Sequence, residues 1–214
     1  MKDVEGMEYY SPREERINII SHAIGFILSV AALILLVMRA NLHGDIWHII
    51  SFSIFGMSLI ILYAASTIYH STTKPELRSR LRIIDHASIF ILIAGTYTPF
   101  TLVTLSGTIG WVIFGTSWGL ALTGIILKLF FTGKYKIFST IMYILISLII
   151  VFAIKPLLDN LPIEGLLWLL AGGISYIAGA ILYSIKKIKF NHAIFHIFVL
   201  IGSFCHFVSV FFFV

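Results

Sequence analysis

Residues 192–214 read His192-Ala-Ile-Phe-His196-Ile-Phe-Val-Leu-Ile-Gly-Ser-Phe-Cys205-His206-Phe-Val-Ser-Val-Phe-Phe-Phe-Val214, without one Asp, Glu, Lys or Arg. A bilayer core is about 30 Å thick and takes roughly 20 helical residues to cross, so this run predicts a transmembrane helix. Six further segments meet the same length, at about 17–39, 46–70, 83–105, 109–131, 137–157 and 163–185. Composition agrees: 59% of the 214 residues are hydrophobic and 12% charged, against about 25% charged in a soluble domain. A soluble globule, a disordered chain and a secreted disulfide scaffold are thereby excluded. The net charge of +5 lies between apolar runs rather than on a soluble face, which excludes nucleic acid as a partner. Cys205, the single cysteine, can form neither an internal disulfide nor a Cys-rich metal site. The fold class is all-α integral membrane: a seven-transmembrane helix bundle.

Lys and Arg orient it, because cytoplasmic loops carry them in excess. Lys2, Arg13 and Arg16 stand in the tail, and Lys74, Arg78, Arg80 and Arg82 between spans two and three. Lys128, near the end of span four, Lys134 and Lys136 stand at the connection to span five, and Lys186, Lys187 and Lys189 precede span seven. Only Arg39 and Lys155 fall on the opposite side. The N-terminus is therefore expected in the cytoplasm and the C-terminus outside. Residues 1–16 read as a cytoplasmic tail and 17–214 as the membrane domain. The polar start and the long first apolar run argue against a cleavable signal peptide.

Small residues four apart allow close helix approach. Such series occur at Ser21, Gly25 and Ser29, at Gly115 and Gly119, and at Ser175 and Gly179. The alternative for each is a lipid-facing position. Pro99 removes a backbone donor and predicts a kink near Gly95. Trp47, Trp111 and Trp168 suit an outer interfacial belt, and residues 207–214 a lipid-facing or packing surface. No internal repeat is evident, which weighs against an inverted-repeat transporter.

Ionisable residues inside a bilayer point to function, and the topology collects several at one depth. His70 ends span two, with Ser66 one turn deeper on the same face. Asp85 and His86 open span three. His192 and His196 open span seven, on one face and about 6 Å apart along the axis. A lone His-x-x-x-His pair is a common core feature. With His70 and Asp85 at the same depth, it becomes a set of three neutral nitrogen ligands, which catalytic zinc takes while leaving a fourth position to water. Asp85 is then either a fourth ligand or the acceptor for that water's proton, since bound zinc lowers the pKa of water to roughly 7.

The remaining histidines read differently. His43 and His48 belong to the outer loop or the span-two entrance. His206 lies about 21 Å from His192 along the axis, as a hydrogen-bonded core residue or part of a deeper polar pocket. His22 reads as structural or as a neighbour of the site. His86 points about 100° away from Asp85, which disfavours it as a ligand.

Four motifs carry a family resemblance. Glu15-x-x-Asn18 leads to His22-x-x-Gly25. Ser66-x-x-x-His70 follows, then Asp85-His-Ala-Ser-Ile-Phe with Ala94-Gly-Thr-Tyr-Thr-Pro-Phe100, and last His192-Ala-Ile-Phe-His196 to His206-Phe207. Together they resemble the hemolysin III family, the bacterial branch of the progestin and adipoQ receptor (PAQR) family, within a wider group of membrane hydrolases that includes alkaline ceramidases. The resemblance spans nearly the whole chain. It implies a seven-span bundle with a cytoplasmic N-terminus and a zinc ion (Zn2+) held in the inner leaflet by His70, His192 and His196. It further implies that Asp85 contacts the water at the zinc and that Ser66 supports the site.

The function so implied is zinc-dependent hydrolysis of membrane lipid amides or esters, ceramidase-like, in the inner (plasma) membrane. A membrane lipid is then substrate or ligand. One alternative is a non-enzymatic regulator or sensor of membrane lipid state, tied to lipid homeostasis, with a structural zinc. Another is a channel-forming cytolysin, in keeping with the family name. A retinal-binding pump is excluded, because residues 190–214 hold no lysine for a Schiff base. The long cytosolic region of the animal receptors has no counterpart before span one, which speaks against hormone reception.

Overall fold

The computed structural model describes residues 10–131 and 136–214. Eight α-helices build it: α1 Pro12–His43, α2 Ile46–Ser71, α3 Pro75–Pro99, α4 Gly107–Phe131, α5 Lys136–Ser147, α6 Ile154–Asn160, α7 Ile163–Ser184 and α8 Asn191–Phe213. Seven helical stretches are long and apolar enough to cross a membrane, and the described residues contain no strand. The chain is an all-α, seven-span membrane protein. Residues 1–9 of the predicted tail and the loop residues 132–135, including Lys2 and Lys134 of the charge count, lie outside the described residues.

Residue boundaries differ from the apolar runs where polar turns are helical. The Ser11 side chain accepts the Glu14 N–H at 3.2 Å, so α1 begins at Pro12, within the predicted tail. Pro75 and Glu76 open α3 well before residue 83. Proline fits the first helical turn, where its missing N–H has no partner to lose, and an acidic residue there complements the helix dipole. Apolar length alone misses both charged turns.

Two spans depart from α geometry. After Pro99 the third span continues as a π-helical turn, Phe100–Leu105, so the irregularity lies on the C-terminal side of the proline rather than near Gly95. The fifth span is broken: a 3-10 segment, Ile149–Ala153, separates α5 from α6. Pro156 explains the break, because a helical proline removes the bond to the carbonyl four residues back and crowds it. Tyr97 donates to the Ser147 carbonyl at 2.6 Å, satisfying one backbone group at the break, as irregular backbone in a bilayer requires.

Helix α1 is apolar on the outside and polar within. Glu14, Asn18, Ser21, His22, Gly25 and Ser29 are buried, whereas Ile20, Ile24 and Ile27 are exposed to lipid. It packs between α2 and α8; α3 adjoins α2, α4 adjoins α3, and α7 adjoins α8. Lipid tails are as apolar as leucine, so close packing and interhelical hydrogen bonds hold such a bundle rather than the hydrophobic effect. A Cβ on Gly25 would stand 2.6 Å from the Tyr63 ring and 2.8 Å from Leu200; one on Gly179 would stand 2.6 Å from Phe198. Ser175 donates to the Phe198 carbonyl at 2.8 Å. Gly115 and Gly119 overturn the packing expectation for α4: both are exposed, with nothing among the described residues within 4 Å of an added Cβ. Spacing identified a small-residue stripe there but not the direction it faces.

Candidate functional site

The three ligand candidates converge. Helix α2 ends with His70, and α8 begins with His192 and His196 one turn apart. The His192 Nε2 lies 3.1 Å from the Nε2 of His70 and 3.1 Å from the Nε2 of His196. Among the described residues these three form the group of side chains able to hold one metal ion. All three are at most 9% exposed. A ring nitrogen has one in-plane position for either a proton or a lone pair. The two contacts at His192 therefore cannot both be ordinary hydrogen bonds with this one position. A single cation accepts all three lone pairs at once. Zinc–nitrogen bonds of about 2.0–2.1 Å in tetrahedral array separate nitrogens by about 3.3–3.4 Å, close to the spacing here. The residues fit the ion.

The first turns of α1 support two of these histidines. The Glu15 carboxylate receives His70 Nδ1 at 2.6 Å and is ion-paired to Arg78. Arg78 also donates to the Thr72 carbonyl at 3.1 Å and to those of Tyr69 and His70 at 3.4 Å, with its guanidinium 4.6 Å over the Tyr69 ring. A cation at the C-terminus of α2 suits the unsatisfied carbonyls and the dipole there. Phe190 gives α8 no side-chain cap; Glu14 of α1 instead accepts the His192 N–H at 3.3 Å. Tyr10 stacks on His192 at 4.5 Å, and His22 on His196 at 3.5 Å.

Asp85 stands outside the three-nitrogen group, largely buried, with its carboxylate 3.4 Å from His86 Nδ1. It interacts electrostatically with His70 and His196. That position suits a group acting on the site from its edge better than a fourth ligand. Ser66 is buried one turn deeper than His70 on α2. His86 bonds to the Arg82 carbonyl at 2.8 Å and does not join the ligand group. His206 bonds to the Leu169 carbonyl at 3.2 Å, as a core histidine. His48 joins Asp45 in capping α2, outside the site.

Sequence reading assigned no role to Arg78, Glu14 or Tyr10. Arg78 was counted as a loop charge, and only the early start of α3 turns it inward. Glu15 appeared in the first motif without a partner. The signal available was a pair of acids ahead of a polar stripe repeating at helical spacing.

The family model for Haemolysin-III related proteins matches residues 10–207. The chain belongs to this family. It is 46% identical to Hemolysin-3 of Bacillus cereus over 202 residues, covering 94% of this chain and 92% of that one. Against the Hemolysin-3 homolog of Bacillus subtilis, identity is 45% over 204 residues, 95% and 96% of the two chains. The human Monocyte to macrophage differentiation factor is more distant, 27% identical over 209 residues, 92% of this chain and 83% of that protein. Four short motifs had carried the hemolysin III resemblance; the similarity extends through the spans between them.

Proposed function

We propose that this hemolysin III family protein binds one zinc ion through His70, His192 and His196 and hydrolyses an amide or ester of a membrane lipid. The convergence of three ring nitrogens within 4.8 Å of one another, with His192 Nε2 at 3.1 Å from the other two, carries the reading. When bound, zinc supplies a Lewis acid that acidifies water and stabilises negative charge on the attacked carbonyl oxygen. Asp85 accepts the proton that water loses on attack. It returns that proton to the leaving nitrogen or oxygen as the carbon–heteroatom bond breaks. Burial of the histidines among Tyr10, His22 and the helix ends limits bulk water, which strengthens the electrostatics inside. Ser66 supports the site from one turn deeper. The inner (plasma) membrane is both location and source of substrate.

The test pairs metal content with turnover. Purified wild type is expected to hold about one zinc per chain, and His196→Ala to lose it. Asp85→Asn is expected to keep the metal while hydrolysis of a ceramide-like amide falls by 10²–10⁴, the usual contribution of a general base. Unchanged turnover in Asp85→Asn would remove Asp85 from the mechanism. Zinc binding with no turnover on any lipid amide or ester favours the regulator with a structural ion. The relatives' name, hemolysin, raises pore formation, which dye release from liposomes by the purified protein would establish instead.

A further inference from the structure

Glu15, Arg78 and His70 come from three helices and form one connected unit. The Glu15 carboxylate faces His70 Nδ1 with one oxygen and Arg78 with the other. Arg78 in turn grips the last carbonyls of α2, the helix that ends in His70. A carboxylate accepts but cannot donate, so it holds the proton of His70 on Nδ1. The lone pair is then left on Nε2, the atom that faces His192. His192 and His196 have no such partner at Nδ1 among the described residues. Of the three rings, His70 alone has its tautomer and orientation fixed by a charged group.

We propose that Glu15 is the positioning residue of this centre, fixing the His70 ring for metal binding, and that Arg78 holds Glu15 in place. The proposal rests on the metal reading above and adds what builds the ligand set. Its physical content is pre-organisation. Without the carboxylate, His70 is free to place its proton on Nε2 or to rotate, and binding a metal must first reverse that. Supports of this kind typically contribute 10- to 100-fold in metal affinity. Arg78 also accounts for why a carboxylate is tolerated among buried helix ends: removing one partner of such a pair leaves an uncompensated charge.

The test uses the full chain in lipid nanodiscs, with zinc affinity read by competition against a chromogenic chelator. The visible spectrum of the cobalt-loaded protein reports ligand geometry. Glu15→Gln and Glu15→Ala are expected to bind zinc roughly 10- to 100-fold more weakly and to shift the cobalt bands. The exposed control Glu76→Gln should match wild type in both. Arg78→Lys should weaken binding in the same direction, because a single ammonium cannot serve the carboxylate and three carbonyls together. Wild-type affinity and cobalt bands in both Glu15 variants overturn the proposal while leaving the metal site standing. A folded wild type that takes up no metal overturns the metal reading itself, and this proposal with it. Should the variants fail to fold, the cobalt-loaded wild type decides. It should show one slowly exchanging, hyperfine-shifted ring N–H from His70, and absence of that resonance refutes the Glu15 contact.

Discussion

Replacing Gly25 with alanine tests whether α1 is wedged between α2 and α8 as tightly as the structure indicates. The added Cβ would lie 2.6 and 2.7 Å from two atoms of the Tyr63 ring and 2.8 Å from Leu200 Cδ2, where ordinary contact begins at 3.4 Å. Each neighbour must yield by most of an ångström, and they belong to different helices. Tyr63 has little room: it is 1% exposed, and its hydroxyl bonds to Ser203 at 2.8 Å. Overpacking of this kind costs about 1–3 kcal/mol, or roughly a 5- to 150-fold shift in the folding equilibrium. Gly115→Ala is the matched comparison, since its Cβ meets nothing among the described residues within 4 Å. The assay is unfolding of both variants in the same mild detergent, followed by tryptophan fluorescence. Gly25→Ala should melt clearly below wild type and Gly115→Ala should not. Equal melting of Gly25→Ala and wild type would refute the wedge.

Two further outcomes follow from contacts elsewhere in the bundle. A double-mutant cycle of Tyr63→Phe and Ser203→Ala should give a coupling of about 0.6 kcal/mol, reaching at most ~1.7 kcal/mol, the range for interhelical hydrogen bonds in membranes; zero coupling would mean that Tyr176, 2.9 Å from the same Ser203 oxygen, fully replaces Tyr63. At the N-terminal end of α2, the His48 ring and the His48 and Trp47 amides hold the Asp45 carboxyl below its ordinary range. Because the folded value is the lower one, the cap is complete above the unfolded value and is lost as pH falls through the folded one. The protection of the Trp47 and His48 amides, taken against the intrinsic exchange rate at each pH, should fall on acidification in wild type but not in Asp45→Ala, where it is already low.

The convergence of His70, His192 and His196 was legible because two rules sufficed. Charge bias sets which ends of the spans share a leaflet, and helical spacing places His192 and His196 on one face. Neither rule reaches Arg78. Its place depends on where α3 starts, and apolar length cannot show that a charged turn is helical. Likewise, Gly115 and Gly119 have the same spacing as Ser175 and Gly179, yet only the second series meets a neighbouring helix. Spacing defines a stripe on a helix, while the rotation of that helix is decided by its neighbours. Apolar length reads 137–157 as one span without weighing Pro156, and the interruption of the fifth span follows from that proline.

The polar face of α1 bears on how this protein is made. Glu14 meets the His192 amide across 178 residues of chain, and His22 rests on His196. Helix α1 leaves the ribosome before the other described helices, and α8 after them. Through most of synthesis, His22 is in the membrane without the ring it finally lies against. Any chain halted before α8 therefore lacks the partners that α8 brings to Glu14 and His22. The proposed metal centre is in this sense a late step of assembly, given its α1 supports only when the first and last described helices have met.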